Sequence, residues 1–469
     1  MTNAFSVQAP TPRHSKAVLA ALVRWCLRVG TGVAFLDLYL RLVAFLMSAA
    51  GVAVAPLVTA LVALTAILLA LPPDGRLDRA ISRTLKPAVD AVDAQIACVF
   101  IPYITAVPVS NLPAGGDLWT AAAACAAGTL ATMFAAGKVA QAFSSPSPAT
   151  GEGEKDEAAK KAMRAAGEEE KQTTKTADAR RKKRMNAADA ARAVCGDTPP
   201  ELLWLAATVA LVPLALIPWV ELSFRTTAAP AYICATATTY LLARRVPAGA
   251  QKMGLFPTVT GGVAMACLAS AVGWLTGAGA EAGIRDYLAG AGAFYLYFVP
   301  PAVLGLAFRV RQQRKTLREN AAPLALAVSV AVPGGLLLAA ALGRACGLPA
   351  DVVLASLPKC TTTGLAVHMA AALGVDPSLA AAGCALSGTI GLAAGRGLMD
   401  AMRIRGATAR GAATGASSHA AGTAALAAAG EDAAAAVSGV VFALSGVVGV
   451  LLLEVPRFRA ALFAAAGAG

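Results

Sequence analysis

Residues 348–373 read LPADVVLASLPKCTTTGLAVHMAAAL. Two apolar arms flank a polar centre, Ser356-Leu357-Pro358-Lys359-Cys360-Thr361-Thr362-Thr363-Gly364. Pro358 removes a backbone donor and disfavours helix at Leu357. Gly364 loosens the turn that follows. A helix is therefore expected to break here. The amides at a new helix start attract anions, the three threonines add hydroxyls, and Lys359 adds a positive charge. A lysine in a membrane interior costs about 2.5–3.5 kcal/mol on insertion scales, so it marks a functional position. A second reading stays open: Lys359 snorkels to an interface and Pro358 only kinks the chain.

The surroundings place this stretch in a membrane. The chain has 469 residues, 57% hydrophobic and 14% charged, with mean hydropathy +0.63. Soluble chains are about one quarter charged. The apolar runs are unbroken over roughly 20 residues, enough to cross hydrocarbon, and lack the short alternation of a β-barrel. Helices satisfy their own amides in lipid, so an all-α polytopic membrane protein is expected. Crossing spans are expected at 17–48, 52–71, 88–109 and 118–143. Further spans fall at 202–222, 232–242, 255–275, 287–308, 323–342, 379–398, 411–429 and 437–453. These amount to about 12 transmembrane helices by length.

Between the two groups the composition changes. Residues 144–200 open with Ser-Ser-Pro-Ser-Pro, mix acids and bases, and include the cluster from Arg180 to Arg184. They read as a charged linker between a first membrane domain, 1–143, and a second, 201–469. The basic cluster suits either contact with anionic lipid or plain solvation. The leader holds Arg13, His14 and Lys16 with no acid before Asp37. It fits either the end of an organelle-targeting segment or an ordinary basic terminus. The formal net charge of +13 sits in short loops between apolar runs. It therefore signals orientation in a membrane, and no nucleic-acid partner is expected.

The positive-inside rule then constrains 348–373. The loops at Arg309–Arg318 and Arg396–Arg410 should share one face. Spans 323–342 and 379–398 supply two crossings between them, so 348–373 is expected to enter the membrane without crossing. Spans 411–429 and 437–453 would then return Arg457 and Arg459 to that same face.

Two more polar interruptions occur. Thr414-Gly415-Ala416-Ser417-Ser418-His419-Ala420-Ala421-Gly422-Thr423 places Ser417, Ser418, His419 and Thr423 among small residues. Gly422 and its small neighbours allow close helix approach. His419 suits a substrate hydroxyl or carboxylate, or a proton; a helix-packing hydrogen bond is the other reading. Pro300-Pro301 within 287–308 implies a broken helix or a kink. Broken helices near the midplane are a common transporter device. His368 and Ser387-Gly388-Thr389 read as packing. The nine cysteines stand singly, without CxxC spacing, and three histidines are too few for a His-rich centre. No metal or other cofactor is expected, and no nucleophile constellation suggests an enzyme.

The order of these motifs resembles the LrgB/CidB family. The match runs through Leu357–Thr363, Pro377–Ala381, Ser387–Gly391, Arg403–Arg405, Ala409–Gly411, Ser418-His419 and Gly422–Ala424, with Pro300-Pro301 and Arg311–Arg314 before them. The first half resembles, more weakly, the partner LrgA/CidA family through Phe100-Ile101-Pro102-Tyr103 and Pro108-Val109-Ser110. Fusion of the two is similar to the plastidal glycolate/glycerate translocators of plants and algae. That resemblance implies a secondary carrier in the chloroplast inner envelope, exporting glycolate and importing glycerate in photorespiration. On this reading Lys359, Cys360, Thr361, Thr362 and Thr363 bind the carboxylate. Ser417, Ser418, His419, Gly422 and Thr423 bind the hydroxyl or carry a coupling proton. Pro300, Pro301, Pro358 and Gly364 shape the breaks. The partners expected are a small organic anion, the lipid bilayer, a proton and, since small residues permit helix association, a second copy of the chain. The alternatives are a holin- or antiholin-like regulator of permeability, and a carrier of another small monocarboxylate such as pyruvate.

Overall fold

The computed structural model describes residues 12–49, 56–72, 75–94, 96–110, 116–144 and 224–468. The start of the leader, the linker beyond Ser144 and the expected span 202–222 lie outside the described residues. Among the described residues the chain is helical and has no strand. Residues 12–31, the first part of α1 (Pro12–Ala49), fall in one unit as helix alone. The other unit joins the described residues of 32–144 to those from Phe224 onward.

The first half supplies α2 (Pro56–Ala70), α3 (Arg76–Ala94), the short α4 (Ile101–Ala106) and α5 (Gly116–Phe143). The second supplies α6 (Phe224–Ala243), α7 (Pro257–Leu275), α8 (Ala280–Tyr287), α9 (Val299–Gln312) and α10 (Ala321–Ala345). Then come α11 (Ala350–Ser356), α12 (Thr363–Leu373), α13 (Pro377–Ala401), α14 (Ala407–Ala428), α15 (Asp432–Leu453) and α16 (Pro456–Ala466). Among the described residues, seven helical stretches are long and apolar enough to cross a membrane.

The packing is that of a protein in lipid. Large apolar side chains face outward: Phe45, Trp119 and Trp274 are 68%, 78% and 75% exposed. Small residues face inward and let backbones meet. A Cβ added to Gly411 would lie 2.6 Å from the Val437 Cβ, and one on Gly415 would lie 2.6 Å from the Ser438 carbonyl oxygen.

Those two contacts also fix direction. Gly411 meets Ala434 and Val437, and Gly415 meets Ser438 and Val441, so the first arm of α14 runs parallel to α15. Consecutive crossing helices joined by a short loop run antiparallel, so α14 must turn back. It does so at His419, whose φ of 41° and ψ of −140° break the helix. Past the turn, Gly422 comes back against Thr414, with 2.6 Å from an added Cβ to the Thr414 Cγ2. Eight residues of straight helix would hold them about 12 Å apart. At the base, Arg410 pairs with Glu431 at 2.7 Å. Residues 407–428 therefore form a helical hairpin. The expected crossing at 411–429 is corrected: this segment enters and returns.

Residues 348–373 form a second hairpin from the opposite end. α10 starts at the Arg410 end, where Thr408 donates to Asn320 Oδ1 at 2.7 Å. It finishes at the far end, where Arg344 donates to the Ala464 carbonyl. α11 begins there, with Val353 against Gly343. α12 returns there, because Leu365 meets Gly446 and Met369 meets Gly449 along α15. The re-entrant reading of this segment agrees with the structure. The placement of Arg457 and Arg459 does not. With α14 folded back, α15 alone crosses after α13, so those arginines lie at the end opposite Arg403 and Arg410. The Pro300-Pro301 break is mild. The prolines occupy the first turn of α9, where a missing amide is tolerated, and the backbone stays helical through Phe298.

Candidate functional site

The two hairpin tips face each other across α13. Gly383 packs on the Lys359 side chain of the first tip, and Gly388 on the His419 ring of the second. An added Cβ at Gly388 would lie 2.9 Å from the His419 Cε1. The Ser387 hydroxyl donates to the Lys359 carbonyl oxygen. Ser387-Gly388 thus ties down both tips, beyond the helix packing expected of it.

The first tip tightens into a 3-10 turn over Leu357–Cys360, becomes extended at Thr361 and Thr362, and restarts as α12 with Thr362 as its N-cap. The Thr362 hydroxyl accepts from the Leu365 amide at 3.4 Å, and its carbonyl from Ala366 at 2.8 Å. The amides of Thr363 and Gly364 precede the first of these bonds and carry the positive end of the helix dipole. Gly364 belongs here for closeness: a Cβ would lie 2.8 Å from the Val303 Cγ2.

The second tip has the same chemistry. After His419 the chain restarts as a helix with Ala420 and Ala421 in its first turn. The Thr423 hydroxyl donates to the His419 carbonyl at 2.9 Å and shares a 2.7 Å hydrogen bond with Ser438. The His419 ring is fixed, its Nε2 lying 2.9 Å from the Cys384 carbonyl oxygen. A carbonyl only accepts, so Nε2 carries the hydrogen and Nδ1 remains an acceptor.

Between the tips lies a cavity of about 200 Å³. Thr362, Thr363 and Gly364 line one side and His419, Ala420 and Ala421 the other. Arg309 of α9 closes it, with Phe100, Phe256 and Phe442 as apolar wall. Two helix N-termini, an arginine, three threonines and an imidazole thus converge on an apolar space. This arrangement suits a small anion with a hydroxyl group.

The sequence-predicted residues separate here. Thr362, Thr363, Gly364 and His419 come together on the cavity. Lys359, Cys360 and Thr361 line a different, smaller void. Lys359 is buried, 2% exposed, so the snorkelling reading fails. Ser417 and Ser418 are fully buried and bond each other at 3.0 Å. Gly422 packs against Thr414 and Ser418, and Pro300 and Pro301 sit just before the cavity-lining Ala302 and Val303. His368 lies on α12 away from the lining. Arg309 was legible only as part of a basic loop, since no local motif separates it from Arg311 or Arg314. Phe100 belongs to the Phe100–Tyr103 motif of the first half, whose place on the cavity depends on tertiary packing.

Residues 236–457 match the LrgB-like family. The chain is 32% identical over 248 residues to plastidal glycolate/glycerate translocator 1 of Arabidopsis thaliana, covering 51% of this chain and 48% of that one. It is 31% identical over 119 residues to the uncharacterized protein YxaC of Bacillus subtilis, covering 25% of this chain and 52% of that one. The chain thus spans about half the length of these curated relatives. No solved structure matches it significantly. Both hairpins lie inside the family match, and the chain is a polytopic helical membrane protein whose residues 236–457 are similar to the LrgB-like family.

Proposed function

We propose that the protein is a secondary carrier of small hydroxycarboxylates, glycolate and glycerate, in the chloroplast inner envelope. The observation that carries this reading is the cavity walled by two hairpin tips entering from opposite ends. The carboxylate docks at the amides of Thr363 and Gly364 and the guanidinium of Arg309, since cations and helix starts stabilise anions. The substrate hydroxyl donates to His419 Nδ1. Phe100, Phe256 and Phe442 exclude water and limit size. Because each tip reaches the cavity from its own face, movement of one tip opens that face without unfolding the other. His419 is the side chain of the wall whose imidazole can accept and release a proton, and it carries the coupling proton. Support for the substrate comes from the name of the plant relative and from the size and chemistry of the cavity. The first half, LrgA-like in its motifs, places Phe100 on the wall.

Uptake of labelled glycolate, glycerate, pyruvate and lactate into proteoliposomes tests the proposal. Saturable uptake of glycolate and glycerate, each inhibiting the other, is expected. Leakage of unrelated dyes without saturation would instead indicate a holin-like permeability regulator.

A further inference from the structure

The smaller void behind the first tip has its own chemistry. It measures about 30 Å³ and is lined by Thr132 of α5, Leu336 of α10, Lys359, Cys360, Thr361 and Ser445 of α15 among others. Lys359 is 2% exposed, and among the described residues no carboxylate lies within 4.0 Å of it. The Ser445 hydroxyl, in a residue 2% exposed, has no hydrogen-bond partner. The neighbouring hydroxyls are already spent as donors: Thr132 to the Gly128 carbonyl at 2.9 Å, Thr361 to the Pro358 carbonyl at 2.8 Å. Lys359 and an orphan hydroxyl thus line one space, and no acidic side chain is among its lining. A buried ammonium without a carboxylate beside it is costly.

We propose that this void is a second site, distinct from the organic-anion cavity, for one small inorganic anion of the halide class, chloride in the cell. Size supports a single particle: the space holds something as large as a water, and a carboxylate with its carbon chain does not fit. Position supports a structural role. A Cβ on Gly128 would lie 2.9 Å from the Lys359 Nζ, so the lysine end reaches this place only because α5 carries glycine there. The anion would bridge Lys359 of the first hairpin and Ser445 of α15, locking the tip from behind.

The test uses the purified full chain in nanodiscs without organic anions, so its outcome is independent of the identity of the cargo. Thermal unfolding is followed in chloride, bromide and gluconate at equal ionic strength. Chloride and bromide should raise Tm saturably where gluconate does not. Ser445→Ala, which removes one oxygen from a helix interior, should shift the half-saturating chloride concentration about tenfold upward, the worth of one hydrogen bond to an anion. Lys359→Gln should remove the chloride dependence. A bromide-soaked structure should show an anomalous peak beside Lys359 and Ser445. Equal Tm in all three salts, an unchanged midpoint in Ser445→Ala, or no bromide peak would overturn the proposal and leave the void to water. Displacement of bromide by glycolate would overturn it too, by making the void part of the organic-anion site.

Discussion

His419 carries two duties that can be separated. Its backbone sits at φ 41°, a region that costs a non-glycine residue of order 1–3 kcal/mol, and its imidazole lines the cavity. His419→Gly relieves the backbone and deletes the ring; His419→Ala deletes the ring alone. Transport is expected to be lost in both, while Tm in His419→Gly exceeds that of His419→Ala. Equal melting with retained glycolate flux would reduce His419 to a packing residue. Arg309→Gln removes a charge-assisted hydrogen bond, worth about 1.5–3 kcal/mol, so the KM for glycolate should rise roughly tenfold to a hundredfold. Of the polar residues picked from the sequence, Thr362, Thr363 and His419 reach the cavity. Lys359 does not, because the 3-10 turn Leu357–Cys360 points successive side chains to different sides of the tip. Which side each takes depends on α5 and α13, and no local pattern encodes that.

The α14 hairpin is held by its contact with α15 and by charge at its base. Gly411 and Gly415 let the two helices touch backbone to backbone. Gly415→Val would push a side chain against Ser438 and Val441. Overpacking of this kind costs about 1–3 kcal/mol, read as a lower Tm. At the base, Arg410 bonds both Glu431 and Asp400, and Arg396 joins Glu431 at 2.8 Å. The Arg410 guanidinium, helped by Arg396, holds the Glu431 carboxyl below its ordinary range, against a smaller opposing effect of burial. A depressed carboxyl pKa contributes stability above the ordinary value and loses it as pH falls through the depressed one. Wild type should therefore lose Tm on acidification below the ordinary carboxyl range. Glu431→Gln should start lower at pH 7 and show a shallower acid loss, and identical acid limbs would remove the role assigned to this base.

Across the whole molecule, the two hairpins set the topology. Because α14 turns back, the Arg403 loop and Arg457 lie at opposite ends of α15. Single cysteines at Arg403 and Arg457 in a cysteine-free background should be labelled from opposite faces of sealed vesicles; labelling from one face would restore α14 as a crossing. The two halves of the chain also meet. Lys138 of α5 donates to the Arg403 carbonyl at 3.1 Å, and Gly137 packs on Ile404. α5 thus braces both the base of one hairpin and, through Gly128, the tip of the other.

The all-helical membrane class and the re-entry of 348–373 were readable from residues alone, as was a break in this stretch, although it falls at Thr361 and Thr362 and the backbone stays helical through Pro358. They follow from hydropathy, from proline's missing amide and from charge parity, each of which is local or additive along the chain. The turn at His419 was not readable. No proline or glycine stands at that position, so the backbone reversal is imposed by the close fit of Gly411 and Gly415 against α15 and by the ion pairs below. The same holds for the wall of the cavity. Arg309, Phe100 and Phe442 come from segments far apart in sequence, and only the packing of α4, α9 and α15 around the two tips brings them to one space.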